Sequence, residues 1–269
     1  MITHSYTKSP FVFLSFILFF FMSCTEEDLP SNIKQQKFTL KSNSTNFKYA
    51  IKIGSIEEVD VTKDCHVIYL LDGDDYYNEC MQMLSLEEKE NTIIVSIGYA
   101  GDNERGTDYS YPYDRDFDGD SGGAKKFISF LNSELIPVIE EDYEIKSLTK
   151  TIYGHSLGGY LALYVMLQEE QENPFDNAIV VSPNLMWYNS FIFDLEEKAK
   201  ELSLLDGKSF YMAMGDIEGV GMNASFDAMV KRLKLSNYND FNFSYERLEN
   251  ISHRNSPIIG FKNGLKIIQ

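Results

Sequence analysis

The sequence predicts an α/β fold with a mostly parallel central sheet flanked by helices on both faces. Two observations predict it. Short β-branched or aromatic runs alternate with longer helical patterns over residues 38–269, and several of the runs are apolar at consecutive positions, as strands covered on both faces must be. That span carries no internal repeat, low-complexity block or Pro/Gly-rich linker, and it suffices for one well-buried domain. The predicted strands are FKYAIKI (47–53), HVIYLL (66–71), TIIVSIG (92–98), TKTIY (149–153), AIVVS (178–182), SFYMAMG (209–215) and FNFSYERL (241–248). Between them, AKKFISFLNSELIPVIEEDY reads as a helix with Phe127, Leu131, Leu135 and Val138 near one stripe, and SFDAMVKRLKLS as another. In a sheet of this kind, functional residues gather at the carboxyl ends of the strands.

The first residues stand apart. MITHSYTKSP holds a Lys and a His but no acid, FVFLSFILFFFM is broken only by Ser15, and SC follows. This is the layout of a signal peptide, and residues 1–23 resemble a bacterial lipoprotein signal with lipid on Cys24; ordinary secretion is the alternative. Residues 24–37 are polar and aperiodic and read as a tether. Their acidic start resembles a surface-export signal, so the expected location is the cell envelope, lipid-anchored at the outer membrane or in the periplasm, with surface display favoured. With 41 acidic against 24 basic residues and a net charge of −17, attraction to nucleic acid or to an anionic membrane is disfavoured, which leaves the lipid as the only membrane contact. Cys65 and Cys80 lack metal-site spacing and read as packing residues.

The chemistry is concentrated at GHSLGG. A strand ending at Tyr153 enters Gly154, and an amphipathic helix over 157–167 leaves the turn, which is the setting of a nucleophile elbow rather than of an ordinary tight turn. Ser156 is the candidate nucleophile, glycines give its backbone room, and the N–H of Leu157 at the helix start is a candidate oxyanion donor. A serine nucleophile needs a base. Of four histidines, His4 belongs to the leader, His66 begins a strand and His155 faces away inside the elbow, so His253 in ENISHRNSP is the candidate. The orienting acid belongs between serine and histidine in the chain. YMAMGDIEG offers Asp216 and Glu218 there, and spacing does not choose between them.

Five further segments occur in order: YLLDGDDYY (69–77), VSIGYAGDNERGTDYSYP (95–112), GGAKKFISFLNSELIPVIEEDY (122–143), YGHSLGGYLALY (153–164) and SPNLMWYN (182–189). Together they resemble the esterase family of α/β hydrolases that includes esterase D, feruloyl esterases and siderophore trilactone esterases. The resemblance implies the α/β-hydrolase fold and a serine esterase with Ser156 as nucleophile and His253 as base, and it favours Glu218, three residues after Gly215, over Asp216. It also implies the N–H of Asp74, with Gly73 as the alternative, as second oxyanion donor. Trp187 becomes a wall of the acyl pocket or a core residue, and Arg105 a brace for the loop 114–123 at the substrate mouth or, as the alternative, a substrate contact in the pocket. Tyr109, Tyr111 and Tyr113 would form an aromatic rim or pack that loop.

The loop DRDFDGDSGG matches the start of a calcium loop at Asp114, Asp116, Asp118 and Gly119, but Lys125 stands where the closing Glu belongs, so a solvated acidic loop is expected and no metal. The implied reaction needs no cofactor. Carbohydrate-linked feruloyl or acetyl esters are the leading substrate reading, siderophore trilactones of the enterobactin type the alternative, and a non-catalytic, lipid-anchored binding protein the alternative of another class.

Overall fold

The computed structural model describes residues 29–56, 63–89 and 91–267. The segment read as a signal peptide and Cys24 lie outside them. Eight strands form one sheet: β1 (Ile33–Lys41), β2 (Lys48–Ile56), β3 (Asp64–Leu70), β4 (Thr92–Tyr99), β5 (Lys146–His155), β6 (Asn177–Val181), β7 (Ser209–Gly215) and β8 (Asn242–Leu248), in the order β1-β2-β4-β3-β5-β6-β7-β8. From β4 to β8 all pairings are parallel, while β2 runs antiparallel to both β4 and β1. The helices are α1 (Gly73–Leu86), α2 (Arg105–Asp108), α3 (Ala124–Phe130), α4 (Leu157–Met166), the short, kinked α5 (Trp187–Ser190), α6 (Ile192–Glu201), α7 (Val220–Leu235) and α8 (Ser256–Leu265).

Alternation along each strand sends side chains to two cores. Val67, Tyr69, Ile93 and Val95 face the larger one, shared with α3, α4, α6 and α7. Ile68, Leu70, Ile94, Ile179 and Val181 face the other, against α1 and α8. In α1 the buried Tyr77, Cys80, Met81 and Leu84 recur at helical spacing and form one stripe. Cys65 and Cys80 are both buried, in different cores on opposite sides of the sheet. In α8, Gly260 and Gly264 seat the helix on β6, since an added Cβ would lie 2.6 Å from Val181 and 2.7 Å from Ile179.

Three expectations are corrected. Residues 33–37 are strand rather than tether: they form the first half of β1, which pairs with β2 along its whole length. As an edge strand with mostly exposed side chains, it can carry Lys34, Gln35, Gln36 and Lys37, and these hide the strand pattern while discouraging edge-to-edge association. The α4 helix is not amphipathic, because all ten of its residues are buried. After α3 the helix continues through widened π turns at Leu131–Leu135 and Val138–Asp142, whose extra residue per turn rotates the face. Phe127, Leu131 and Leu135 are buried as expected, but Ile139 takes the place foreseen for half-buried Val138.

One buried acid makes stability depend on pH. Asp108 is 1% exposed; its Oδ2 accepts hydrogen bonds from Tyr49 (2.8 Å) and Tyr99 (3.1 Å), and Oδ1 has no partner among the described residues. Burial pushes its carboxyl up to about 7, and the two tyrosine hydroxyls offset this only in part. A folded-state value above the unfolded one means that its contribution is full below about pH 4, falls as pH rises towards 7, and is absent beyond. Asp108→Asn mimics the neutral acid. The variant is expected to exceed the wild type in stability by about 1–3 kcal/mol at pH 8, with the gap shrinking towards pH 5. Urea unfolding at the two pH values checks this, and a gap independent of pH contradicts it.

Candidate active site

The parallel strands deliver their carboxyl ends to one edge, where Asp72, Ser156, Ser182 and Glu218 follow β3, β5, β6 and β7, and His253 lies in the loop between β8 and α8. Ser156 stands between β5 and α4 with φ 59° and ψ −116°, a conformation costly for a residue with a side chain. The surroundings enforce it. Ser156 N–H donates to Val181 O (3.0 Å), and its own carbonyl accepts from Tyr160 N–H (2.9 Å) and Asn184 N–H (3.0 Å). A Cβ on Gly154 would run into the carbonyl of Gly158, so the elbow closes only with glycine there.

From this turn the Ser156 hydroxyl lies 3.0 Å from His253 Nε2, and His253 Nδ1 lies 2.8 Å from Glu218 Oε2. Glu218 Oε1 accepts Gly215 N–H (2.9 Å) and the Ser182 hydroxyl (2.5 Å). Burial would raise this carboxyl, but the donors on it, His253, Ser182 and the Gly215 amide, outweigh burial and hold it below the usual carboxylate range. The choice between two acids is thereby made by a turn. Asp216 N–H bonds Leu248 O (3.1 Å) and Glu218 N–H bonds Gly215 O (3.4 Å), which leaves Asp216 in solvent and brings Glu218 back under His253. Asp216 is excluded as the partner of His253.

Leu157 and Asp74, expected as oxyanion donors, lie in the first turns of α4 and α1, where backbone N–H groups have no intrahelical acceptor. The Asp74 carboxylate accepts Tyr99 N–H (2.7 Å) and so pins the start of α1 to the end of β4. One ion pair joins these two turns. Arg105 donates to both oxygens of Asp72 (2.6 and 3.0 Å), the left-handed residue that caps α1, and also to the carbonyl of His155 (3.0 Å), the residue before Ser156. Asp72 N–H donates to the hydroxyl of Tyr109 (3.1 Å).

Arg105 differs from its expected role at the substrate mouth, and of the two readings given for Tyr109 and for Trp187 the structure takes the packing one. Arg105 braces the Asp72 and His155 turns and not the loop 114–123. Tyr109 is fully buried against Phe127 and forms no rim. Trp187 is 6% exposed, its indole N–H donates to Pro112 O (3.1 Å) and its ring meets Phe117 edge-on, which makes it a core residue that ties that loop down. Tyr111 packs on Tyr164 and Phe191, and Tyr113 alone of the three tyrosines is exposed. In the loop, Asp114 Oδ1 accepts Asp116 N–H (3.0 Å), and among the described residues no three acidic, His or Cys side chains are grouped to hold a metal ion.

His155 takes part in a way its sequence position hides. Its Nε2–H donates to the carbonyl of His253 (3.0 Å), its Nδ1 accepts from Tyr76 (3.1 Å), and its ring centroid lies 4.6 Å from that of His253. Burial first, and then the neighbouring His253, lower it to about 4, so it stays neutral beside the candidate base. The cleft over Ser156 is about 290 Å³ and is lined by Ser156, Asn184, Glu218, Gly219, Met222 and His253. Sequence reasoning missed Asn184, Met222, Ser182 and Ser256. Of these, Ser182 and Asn184 fall within SPNLMWYN, where a small polar residue closing an apolar strand was the available signal.

Comparison with known proteins identifies the family and the fold. The ferri-bacillibactin esterase BesA of Bacillus subtilis is 29% identical over 205 residues, covering 66% of this chain and 69% of that protein. A siderophore triacetylfusarinine C esterase of Aspergillus fumigatus is 37% identical over 79 residues, 29% of this chain and 26% of its own length. The crystal structure of the BES protein from Bacillus cereus superposes with a TM-score of 0.79 at 25% identity, covering 91% of this chain and 97% of that one. The family model described as Putative esterase matches residues 42–213, from before β2 through the elbow and into β7. The chain belongs to that esterase family and is a carboxylic ester hydrolase of the α/β-hydrolase fold.

Proposed function

We propose that the enzyme hydrolyses ester bonds of an iron-chelating siderophore through an acyl-enzyme on Ser156. The unbroken path from the Ser156 hydroxyl through His253 to Glu218 carries the chemical part of this reading. His253 Nε2 takes the serine proton as Oγ bonds to the ester carbonyl carbon, and the oxyanion forms against the N–H groups of Leu157 and Asp74. The tetrahedral centre collapses, the C–O bond breaks, and the imidazolium gives its proton to the leaving alkoxide. Water then attacks the acyl-enzyme by the same route and releases the acid. Glu218 Oε2 holds Nδ1–H throughout, which keeps Nε2 facing serine.

For the substrate, the support is that relatives from a bacterium and a fungus are named as siderophore esterases. This favours the trilactone alternative over the carbohydrate-linked esters that led the sequence reading. The shallow cleft over Ser156 is compatible with a bulky ester. The lipid-anchor reading remains part of the proposal, with Cys24 holding the domain at the cell envelope.

Three outcomes follow. With p-nitrophenyl acetate, Ser156→Ala is expected to lose kcat by on the order of 10⁴–10⁶-fold and Glu218→Gln by about 10⁴-fold, with Asp216→Asn close to wild type. Equal slow hydrolysis by wild type and Ser156→Ala would favour the binding-protein alternative. On a panel of enterobactin, methyl ferulate and acetylated xylan, kcat/KM is expected to be at least about tenfold higher for the trilactone; preference for either of the others reverses the substrate assignment. Cys24→Ser is expected to move the protein out of the detergent phase in Triton X-114 partitioning, and unchanged partitioning counts against the anchor.

A further inference from the structure

Behind the Glu218 carboxylate lie two hydroxyls that the reaction as written does not use. Ser182, at the end of β6, and Ser256, at the start of α8, are both fully buried. Ser182 Oγ is 2.5 Å from Glu218 Oε1 and 2.8 Å from Ser256 Oγ, and Ser256 Oγ is 3.0 Å from the carbonyl of His253. The last bond in the circuit, His253 Nδ1 to Glu218 Oε2, closes a ring that begins and ends on the same histidine. Ser182 is held for this contact in the left-handed region, φ 45°, with its N–H on Ala213 O (2.7 Å).

Counting protons gives the ring a direction. An ionised Glu218 only accepts, so the Ser182 proton points at Oε1. The Ser256 proton then has two acceptors, Ser182 Oγ and His253 O. His253 O already receives His155 Nε2–H, so Ser256 is free to turn to Ser182. In that arrangement each hydroxyl polarises the next and the carboxylate receives the strengthened bond. In the other arrangement Ser256 grips the backbone that carries the base. We propose that Ser182 and Ser256 are positioning residues of the esterase. They fix Glu218 by Oε1, so that Oε2 faces His253, and lock the loop that bears His253 to the same carboxylate, so that acid and base keep one geometry through the proton transfers. The inference rests on Glu218 as the acid of the relay.

Ser182→Ala deletes one oxygen and leaves the Cβ in place; Ser182→Gly also deletes the hydroxyl but relieves the left-handed backbone. With p-nitrophenyl acetate, both are expected to lower kcat roughly ten- to hundredfold with KM within about twofold. Both should also shift the acid limb of kcat/KM to higher pH, because a carboxylate with one donor fewer takes its proton at higher pH. Ser256→Ala should show a smaller loss, and the double variant no more than Ser182→Ala alone, since one chain is broken either way. A folded Ser182→Ala enzyme with wild-type kcat and pH profile overturns the proposal, and so does recovery of wild-type activity in Ser182→Gly, which would trace the effect to backbone strain. Should Ser182→Ala fail to fold in urea titrations, an unchanged pH profile in Ser256→Ala overturns it in the same way. Glu218→Gln separates the two readings: if it is inactive while Ser182→Ala is normal, only the present proposal fails, and if it is fully active, the relay itself fails.

Discussion

The rest of the site depends on one local constraint, the left-handed backbone at Ser156. A residue with a side chain held at φ 59° carries strain of about 1–3 kcal/mol. Hydrogen bonds from both neighbours maintain it: Val181 at the end of β6 accepts the serine N–H, and Asn184 just beyond donates to the serine carbonyl. The same segment that fixes the nucleophile contains Ser182, which holds Glu218, so strain, nucleophile and acid share one structural source. The sharp turn also sets Ser156 at the N-cap of α4, beside backbone N–H groups that the helix leaves without intrahelical acceptors.

Two acid-centred pairs, Arg105–Asp72 and His253–Glu218, lie on either side of the elbow, and their separation matters as much as their presence. Arg105 is held by both oxygens of Asp72 and by the carbonyl of His155, so its charge is matched locally, and it orders the turns leading to Asp74 and Ser156. Glu218 keeps its own donors and its own partner, His253. Between the pairs lies His155, lowered to about 4 and neutral at working pH, which supports the His253 carbonyl without setting a second positive charge against the base. Breaking the buried Arg105–Asp72 pair would cost about 3–5 kcal/mol, because a carboxylate would be left buried without its counter-charge.

Much of this was legible in the sequence for identifiable reasons. Consecutive apolar positions marked the buried strands, and the glycines around Ser156 marked the elbow, because both are local requirements of the backbone. The choice of His253 was possible because only four histidines exist and three had visible duties elsewhere. What stayed hidden involves partners far apart in the chain. Arg105 meets Asp72 across 33 residues and Ser182 meets Glu218 across 36, and no periodicity encodes such pairs. Edge strand β1 was hidden because an exposed edge carries lysines and glutamines as readily as a tether does. The π turns beyond α3 were hidden because a one-residue shift in a helix changes which apolar residue faces the core, Ile139 in place of Val138, without changing composition.

Substrate choice illustrates the limit most directly. A net charge of −17 argues against attraction of an anionic ferric complex only if those charges act at the site, and screening at about 8–10 Å confines each exposed charge to its own neighbourhood. The cleft over Ser156 takes its character from nearer residues. Beside the cleft-lining Glu218, Gly219 and Met222, Ile217 and Val220 are exposed, Val220 to 88%, and exposed Met186 reaches across to Gly221. These exposed apolar side chains stand beside the solvent-exposed Asp216, and on the proposed reading they would reward a substrate that brings apolar or aromatic surface to the serine. On that reading, acyl-group selection rests with a few loop residues at the carboxyl edge of the sheet rather than with the charge spread over the remaining surface.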